Sequence, residues 1–223
     1  MSQQLEHLDE NDSTKNDRGS RRMFLRSSLI GTVTGAAVIL PASTLMTQTV
    51  RAATQSALSL SALSAFREIK ADEDAHVSFL VQALGKAARP KPTFKGLKQS
   101  SVNNFIQLAQ VFENVGVGAY LLAAPTIKNK NYLAAAGSIL TIEARHAGYL
   151  NSLLGKALST NGSFDKPIAQ AQVVTAVSPF IANLNGGPAP SKTLANDTDI
   201  LNFALLLEYL EASFYDINVP TFY

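Results

Sequence analysis

Glu73 and His76 stand three residues apart in I-K-A-D-E-D-A-H-V, and Glu143 and His146 repeat that spacing in T-I-E-A-R-H-A-G-Y-L. The chain has three histidines, and two of them carry a glutamate at this offset. On a helix, positions i and i+3 share a face, so one carboxylate and one imidazole can grip a metal ion together. Two further stretches strand acids in apolar sequence. Glu113 is the only charged residue between Lys98 and Lys128, and Glu208 and Glu211 sit in L-N-F-A-L-L-L-E-Y-L-E-A-S-F-Y. Burying an unpaired carboxylate costs several kcal/mol, so such groups protonate, pair or bind metal. Two divalent ions about 3–4 Å apart need anionic bridges between them. Hard carboxylate oxygens with one imidazole each suit iron or manganese, a pair of ions able to cycle between M(II) and M(III) and to react with oxygen or peroxide.

Four helical segments would have to position these groups. Gln55 to Ala88 is expected to be one long helix, with Leu58, Leu63, Phe66, Ile69, Val77, Leu80 and Leu84 at mixed three and four spacing and Arg89-Pro90-Lys91-Pro92 ending it. Thr93 to Lys98 is expected to be loop. Gln99 to Ala124 is apolar almost all round, which marks a buried helix, and Pro125 closes it. Gly116 and Gly118 cost helix propensity there, but small residues let a neighbouring helix come close. Asn131 to Leu158 forms the third helix. Ser159 to Asn196 is rich in Gly, Pro, Asn and Ser and is expected to be a long connection, with strand or short helix between Ile168 and Leu184. The fourth helix opens at Asp197 or Asp199 as its N-cap and runs through Tyr215. On the single-acid helices a tyrosine follows seven residues after a glutamate, Tyr120 after Glu113 and Tyr215 after Glu208. Two turns separate each pair, so each tyrosine lies on its glutamate's face. One glutamate from each of two helices and an E-x-x-H from each of the other two is the pattern of a carboxylate di-metal four-helix bundle.

The N-terminus carries a different signal. Residues 1–19 are polar and lack apolar periodicity. Ser20-Arg21-Arg22-Met23-Phe24-Leu25-Arg26 follows, then a weakly apolar run from Ser28 to Met46, then Val50-Arg51-Ala52. This is the tripartite form of a secretory leader, and its paired arginines resemble the twin-arginine export motif. The run is short and interrupted by Thr32, Thr34 and Pro41, which favours cleavage over a membrane anchor. Residues 1–52 are therefore expected to be disordered n-region and leader, and 53–223 the bundle, with 159–196 as its long connection. The twin-arginine translocase is then a partner, and the destination is periplasmic or extracellular, including the cell surface.

Composition agrees with one compact domain plus appendages. The chain has 223 residues, 46% hydrophobic and 16% charged. A net charge of +2 gives no argument for nucleic acid. There is no cysteine, which excludes disulfides and thiolate metal sites.

I-K-A-D-E-D-A-H-V, V-F-E-N-V-G-V-G-A-Y, I-E-A-R-H-A-G-Y-L and L-N-F-A-L-L-L-E-Y-L-E-A-S-F-Y together resemble the ferritin-like domain family, in its exported, stress- or desiccation-related type. The resemblance implies an all-α, ferritin-like four-helix bundle binding two Fe or Mn ions. Glu73, His76, Glu113, Glu143, His146 and Glu208 would be the ligands, and Glu211 competes with Glu208 because both occupy the inward face. No catalytic residue beyond these ligands is assigned. Ferroxidase-, peroxidase- or catalase-type chemistry with oxygen or peroxide, or metal storage, would follow, and a homo-oligomer is compatible with it. In the family the L-N-F-A-L-x-L-E-Y-L-E-A segment comes first, whereas here it comes last. Either the chain is circularly permuted, or it is rearranged or truncated, or its last helix docks into a neighbouring subunit.

Blander readings compete. Each E-x-x-H pair alone could be an exposed turn or a core histidine bonded to its neighbour. Glu113 could be a protonated acid bonded to a tyrosine, and Tyr120, Tyr149 and Tyr215 plain core. Asp72 and Asp74 read as a solvated face, as does Arg145. The alternative function is then a non-catalytic exported helical-bundle stress protein with no metal bound.

Overall fold

A computed structural model describes the backbone from Ala42 and the side chains from Leu60 to the C-terminus. The leader expected over residues 1–52 lies outside the described residues up to Pro41. The compact unit spans Val50–Tyr223.

The architecture is all-α, and each helix boundary has a local cause. Helix α1 spans Ala42–Leu84 and passes into a 3-10 turn, Gly85–Ala87. It stops at Gly85, whose φ of 53° lies in the left-handed region open to glycine, four residues before the Arg-Pro-Lys-Pro stretch expected to break it. Helix α2, Val102–Ala123, is capped by Ser101, whose side chain accepts from the Asn104 amide. Helix α3, Lys130–Leu153, is capped by Asn129 in the same way and ends five residues earlier than its apolar pattern indicated. The connection that follows holds a short helix, α4 (Gln170–Val177). Helix α5 runs from Asp197 to Phe222, through Pro220 and well beyond Tyr215. Its N-cap is Asn196, not Asp197 or Asp199, because Asn196 is the last extended residue and its side chain accepts from the Asp199 amide. Asp197 instead accepts from the amides of Lys128 and Asn129, at 2.9 and 2.8 Å, tying the α2–α3 turn to the start of α5.

Cross-helix pairs fix the directions. Between α2 and α5, Glu113 meets Tyr215 and Tyr120 meets Glu208, so one helix climbs as the other descends. The same test makes α2 antiparallel to α3 through Gln110–Asn151 and Glu113–His146. It makes α1 antiparallel to α3 through Asp72–His146 and Ala83–Tyr132, and to α5 through Lys70–Asp216 and His76–Glu208. Helices α1 and α2 are therefore parallel, as are α3 and α5, and two long connections must cross the bundle. Strand β1 (Thr93–Phe94) in the first crossover pairs antiparallel with β2 (Ile181–Asn183) in the second. The stretch expected to be loop, Thr93 to Lys98, is thus stitched to the stretch expected to hold strand or short helix. If α5 were moved to the front of the chain, a single crossover would remain, between α1 and α2, which is the connectivity of ferritin-like bundles. Within this chain the last helix packs against α1 and α2 as the fourth helix of the bundle, the arrangement a circular permutation requires.

Two apolar clusters flank the middle of the bundle. Phe66, Phe105, Phe112 and Phe214 anchor one, and Leu80, Tyr120, Ile139 and Leu205 the other. On every long helix the acids fall between the two clusters. A fully buried side chain of this size contributes about 1.5–3 kcal/mol, which is what holds a polar layer in the middle of a core.

Candidate metal centre

Each long helix contributes to that layer. Helix α1 supplies Glu73 and His76, α2 Glu113, α3 Glu143 and His146, and α5 Glu208 and Glu211; all seven are buried, and Glu73, Glu113, Glu143 and Glu208 have no exposed surface. Among the described residues no lysine or arginine pairs with any of them; the ionic partners of Glu73, Glu113, Glu143 and Glu208 are the two histidines.

The geometry is two donor sets with a shared middle. Glu73, Glu113, Glu143 and His146 offer atoms all within 4.8 Å of one another, and so do Glu73, His76, Glu143 and Glu208. Glu73 and Glu143 belong to both sets. Each set adds one imidazole and one private carboxylate: His146 with Glu113, and His76 with Glu208. The histidine of each E-x-x-H motif therefore works chiefly with acids from other helices, while the motif glutamates stand in the bridging place. Glu211 lies outside both sets.

The nitrogen facing inward is Nδ1 in both rings. His76 Nδ1 lies 3.3 Å from Glu73 Oε2, 3.3 Å from Glu143 Oε1 and 3.2 Å from Glu208 Oε2. His146 Nδ1 lies 3.0 Å from Glu73 Oε1 and 3.2 Å from Glu113 Oε2. A single N–H satisfies one acceptor, not three. Glu73 Oε1, Glu143 Oε1 and Glu208 Oε2 accordingly have no aligned hydrogen bond despite this proximity, and Glu143 Oε2 has none either. Oxygens converging in this way on one nitrogen are what a cation between them would explain. Donors about 2.1 Å from a shared octahedral ion, at right angles, stand about 3 Å apart. Four carboxylates also balance two divalent cations. The residues present fit a metal site.

Electrostatics without an ion are correspondingly unfavourable. Burial and the Glu113 charge raise Glu73 to about 7, against the opposing pull of His146 and His76. Glu143 and Glu211 are raised well above the usual carboxylate range, first by burial and then by the surrounding glutamates. Burial would lower His146, but its bonds to Glu113 and Glu73 outweigh that and hold it up at about 11. His76 is raised for the same reason by Glu143, Glu208 and Glu73.

An outer layer orients these groups. Tyr215 Oη donates to Glu113 Oε1 at 2.5 Å, and Tyr120 Oη donates to Glu208. Each tyrosine serves the glutamate of the opposite helix rather than the one seven residues before it, because α2 and α5 are antiparallel. Asp72 Oδ2 lies 3.1 Å from His146 Nε2, so Asp72 is a partner of the site and not solvated face. Asp74, by contrast, is exposed and pairs with Lys70 at 2.9 Å. Nothing in the spacing around Glu73 marks Asp72, since its partner is 74 residues away. Gly116 is the other residue whose role was misread. A Cβ there would lie 2.7 Å from Glu143 Oε2 and 3.4 Å from Glu211 Oε1, so its bareness makes room for carboxylates rather than for a helix. Gly118 makes room for Ile168 of the long connection, 2.3 Å from where its Cβ would be.

No curated protein and no solved structure matches the chain. The family model described as Ferritin-like domain matches residues 40–156, which is α1 to α3 and more than half of the sequence. With four helices converging buried carboxylates and imidazoles in one layer, the chain belongs to the ferritin-like domain family.

Proposed function

We propose that this protein binds two ions of iron or manganese and uses them in redox handling of oxygen or peroxide, or in metal sequestration. The observation that carries the reading is that Glu73 and Glu143 are common to two otherwise separate donor sets, the arrangement that two mutually repelling cations need. Glu73, Glu113, Glu143, Glu208, His76 and His146 hold the ions. When bound, such a pair supplies M(II)/M(III) chemistry. The chain's own contribution is to fix the donors and keep bulk water out. Asp72 holds the His146 ring with Nδ1 inward, and Tyr215 and Tyr120 do the same for Glu113 and Glu208. Glu211, pushed up by burial and by its neighbours, keeps a proton beside the centre.

The protein is purified without chelator and its metal content measured. About two equivalents of iron or manganese are expected, and none after addition of either metal would leave a bundle without metal. The same proposal places the chain outside the cytoplasm, in metal, oxidative or desiccation stress, after twin-arginine export and cleavage following Ala52. Support comes from the Arg21-Arg22 motif and the apolar run that follows it; the expected cut falls within α1, which runs from Ala42. Replacing both arginines with lysine should retain the full-length chain inside the cell; unchanged export refutes this part alone.

A further inference from the structure

Helices α1 and α3 leave a gap beside the centre. A cavity of about 230 Å³, partly open to solvent, lies between Ala65, Glu68, Ile69 and Asp72 on α1 and Ile142, Arg145 and His146 on α3. His146 is one of the donors assembled with Glu73, Glu113 and Glu143, so the cavity borders the metal centre itself. Its volume holds about seven waters at about 30 Å³ each. That is room for a divalent cation with a full octahedral hydration shell.

The acids of α1 are graded from solvent inward. Glu68 is exposed, the Asp72 side chain is 36% exposed and Glu73 has no exposed surface. Glu68 and Asp72 stand one turn apart on the same helix face. Asp72 Oδ2 lies 3.1 Å from His146 Nε2, and the other nitrogen of that ring lies 3.0 Å from Glu73 Oε1. Among the described residues neither Glu68 nor Arg145 forms an ion pair, so both charges act on whatever enters. Glu68 and Asp72 against Arg145 leave a surplus of one negative charge. The charge of a protonated His146 is met on its inner side by Glu73 and Glu113. A stopping place on a route must attract an ion without keeping it, and a guanidinium among the carboxylates sets that limit.

We propose that iron(II) or manganese(II) enters the centre through this cavity, drawn in by Glu68 and passed by Asp72 to His146 and Glu73, while Arg145 keeps the ion from lodging on the way. The inference rests on the metal-binding reading above and adds a route to it. Glu68 and Arg145 act on the rate of filling, not on the affinity of the filled centre, because neither belongs to a donor set.

The test uses the full chain and measures rates as well as content. Metal-free protein is mixed anaerobically with iron(II), quenched with a chelator at successive times, desalted and analysed for bound iron. Removing one charge about 8 Å from a divalent ion in water changes the ion's local concentration about five-fold. At low salt Glu68→Gln should therefore load about five-fold more slowly than the parent and Arg145→Gln about five-fold faster, with the same iron bound at equilibrium. In about 1 M salt, where charges are screened beyond about 3 Å, both differences should vanish. Ala65→Phe narrows the cavity without changing its charge and should slow loading at either salt concentration. Glu68 and Arg145 are exposed, so their variants decide the matter should Ala65→Phe fail to fold. Parent-rate loading in Glu68→Gln and Arg145→Gln overturns the route alone, and so does a Glu68→Gln effect confined to the iron bound at equilibrium. A parent that takes up neither iron nor manganese removes the metal-binding reading and the route with it.

Discussion

At the scale of residues, the two donor sets assign different weights to chemically identical side chains. Glu73 and Glu143 stand in both sets, while Glu113 and Glu208 stand in one each. Glu73→Gln should therefore reduce metal content from about two equivalents to one or less, whereas Glu113→Gln should leave one ion bound. Metal analysis after dialysis distinguishes the two, and equal losses would contradict the shared-bridge reading. The metal-free Glu73→Gln protein should also melt higher than the metal-free parent, since it no longer buries a carboxyl pushed up to about 7. Asp72→Asn is the complementary case. It leaves every donor in place but weakens the hold on His146 Nε2, and loss of such a partner costs roughly 10–100-fold in metal affinity. Competition with a chelating dye measures this, with the melting temperature of the metal-free protein little changed. The E-x-x-H pairs were legible because their spacing is local and a helix converts it directly into a shared face. Asp72 was not, because only the antiparallel docking of α1 on α3 gives it a partner. For the same reason sequence could not separate Glu208 from Glu211: both face inward on α5, and the level of the facing helices decides which one meets His76.

At the scale of elements, α2 has to bring a carboxylate into the middle of the bundle and leave space for others. Gly116 and Gly118 look alike in sequence, two small residues in an apolar helix, yet they face different neighbours. Gly116→Ala would drive a methyl against Glu143 Oε2, displacing a bridging ligand, and should lose most of the bound metal. Gly118→Ala would collide with Ile168, which belongs to the connection, and should cost about 1–3 kcal/mol by overpacking while metal stays bound. Denaturant melts and metal analysis on both proteins check the contrast, and matched behaviour would mean the two glycines share one role. The four long helices were legible from apolar periodicity and from lone acids within it. Their ends were less so, since Gly85 rather than the proline stretch stops α1, and Asn196 rather than an aspartate caps α5. Strand β1 and its pairing with β2 were out of reach, because segments of two and three residues exist only through their pairing with each other. The connection from 159 to 196 read as loop-rich with strand or short helix between Ile168 and Leu184, and α4 and β2 both lie in that interval.

At the scale of the whole molecule, the bundle buries five carboxyls around two imidazoles, and this makes its stability depend on pH in a definite direction. Glu73 has its folded value raised from 4.5 to about 7, and Glu143 and Glu211 are raised well above the usual carboxylate range. A carboxyl raised on folding contributes stability that is fully present below its unfolded value and is lost as pH climbs through its folded value. The two histidines are raised as well; their contribution is present below about 6.5, the unfolded imidazole value, and for His146 is lost as pH approaches about 11. These shifts within the centre all have the same sign, so the metal-free protein should lose stability steadily from pH 5 to pH 8. Glu73 contributes to that loss across the interval between 4.5 and about 7. Metal-loaded protein should do the opposite relative to the metal-free form, because binding displaces protons from the ligands and tightens as they leave. The gap in melting temperature between the two forms should therefore widen with pH. Paired melts at pH 5, 6.5 and 8, with and without iron or manganese, measure it. A metal-free protein that grows more stable toward pH 8 would mean that these carboxylates ionise freely in the fold, and the case for cations among them would fall with that result.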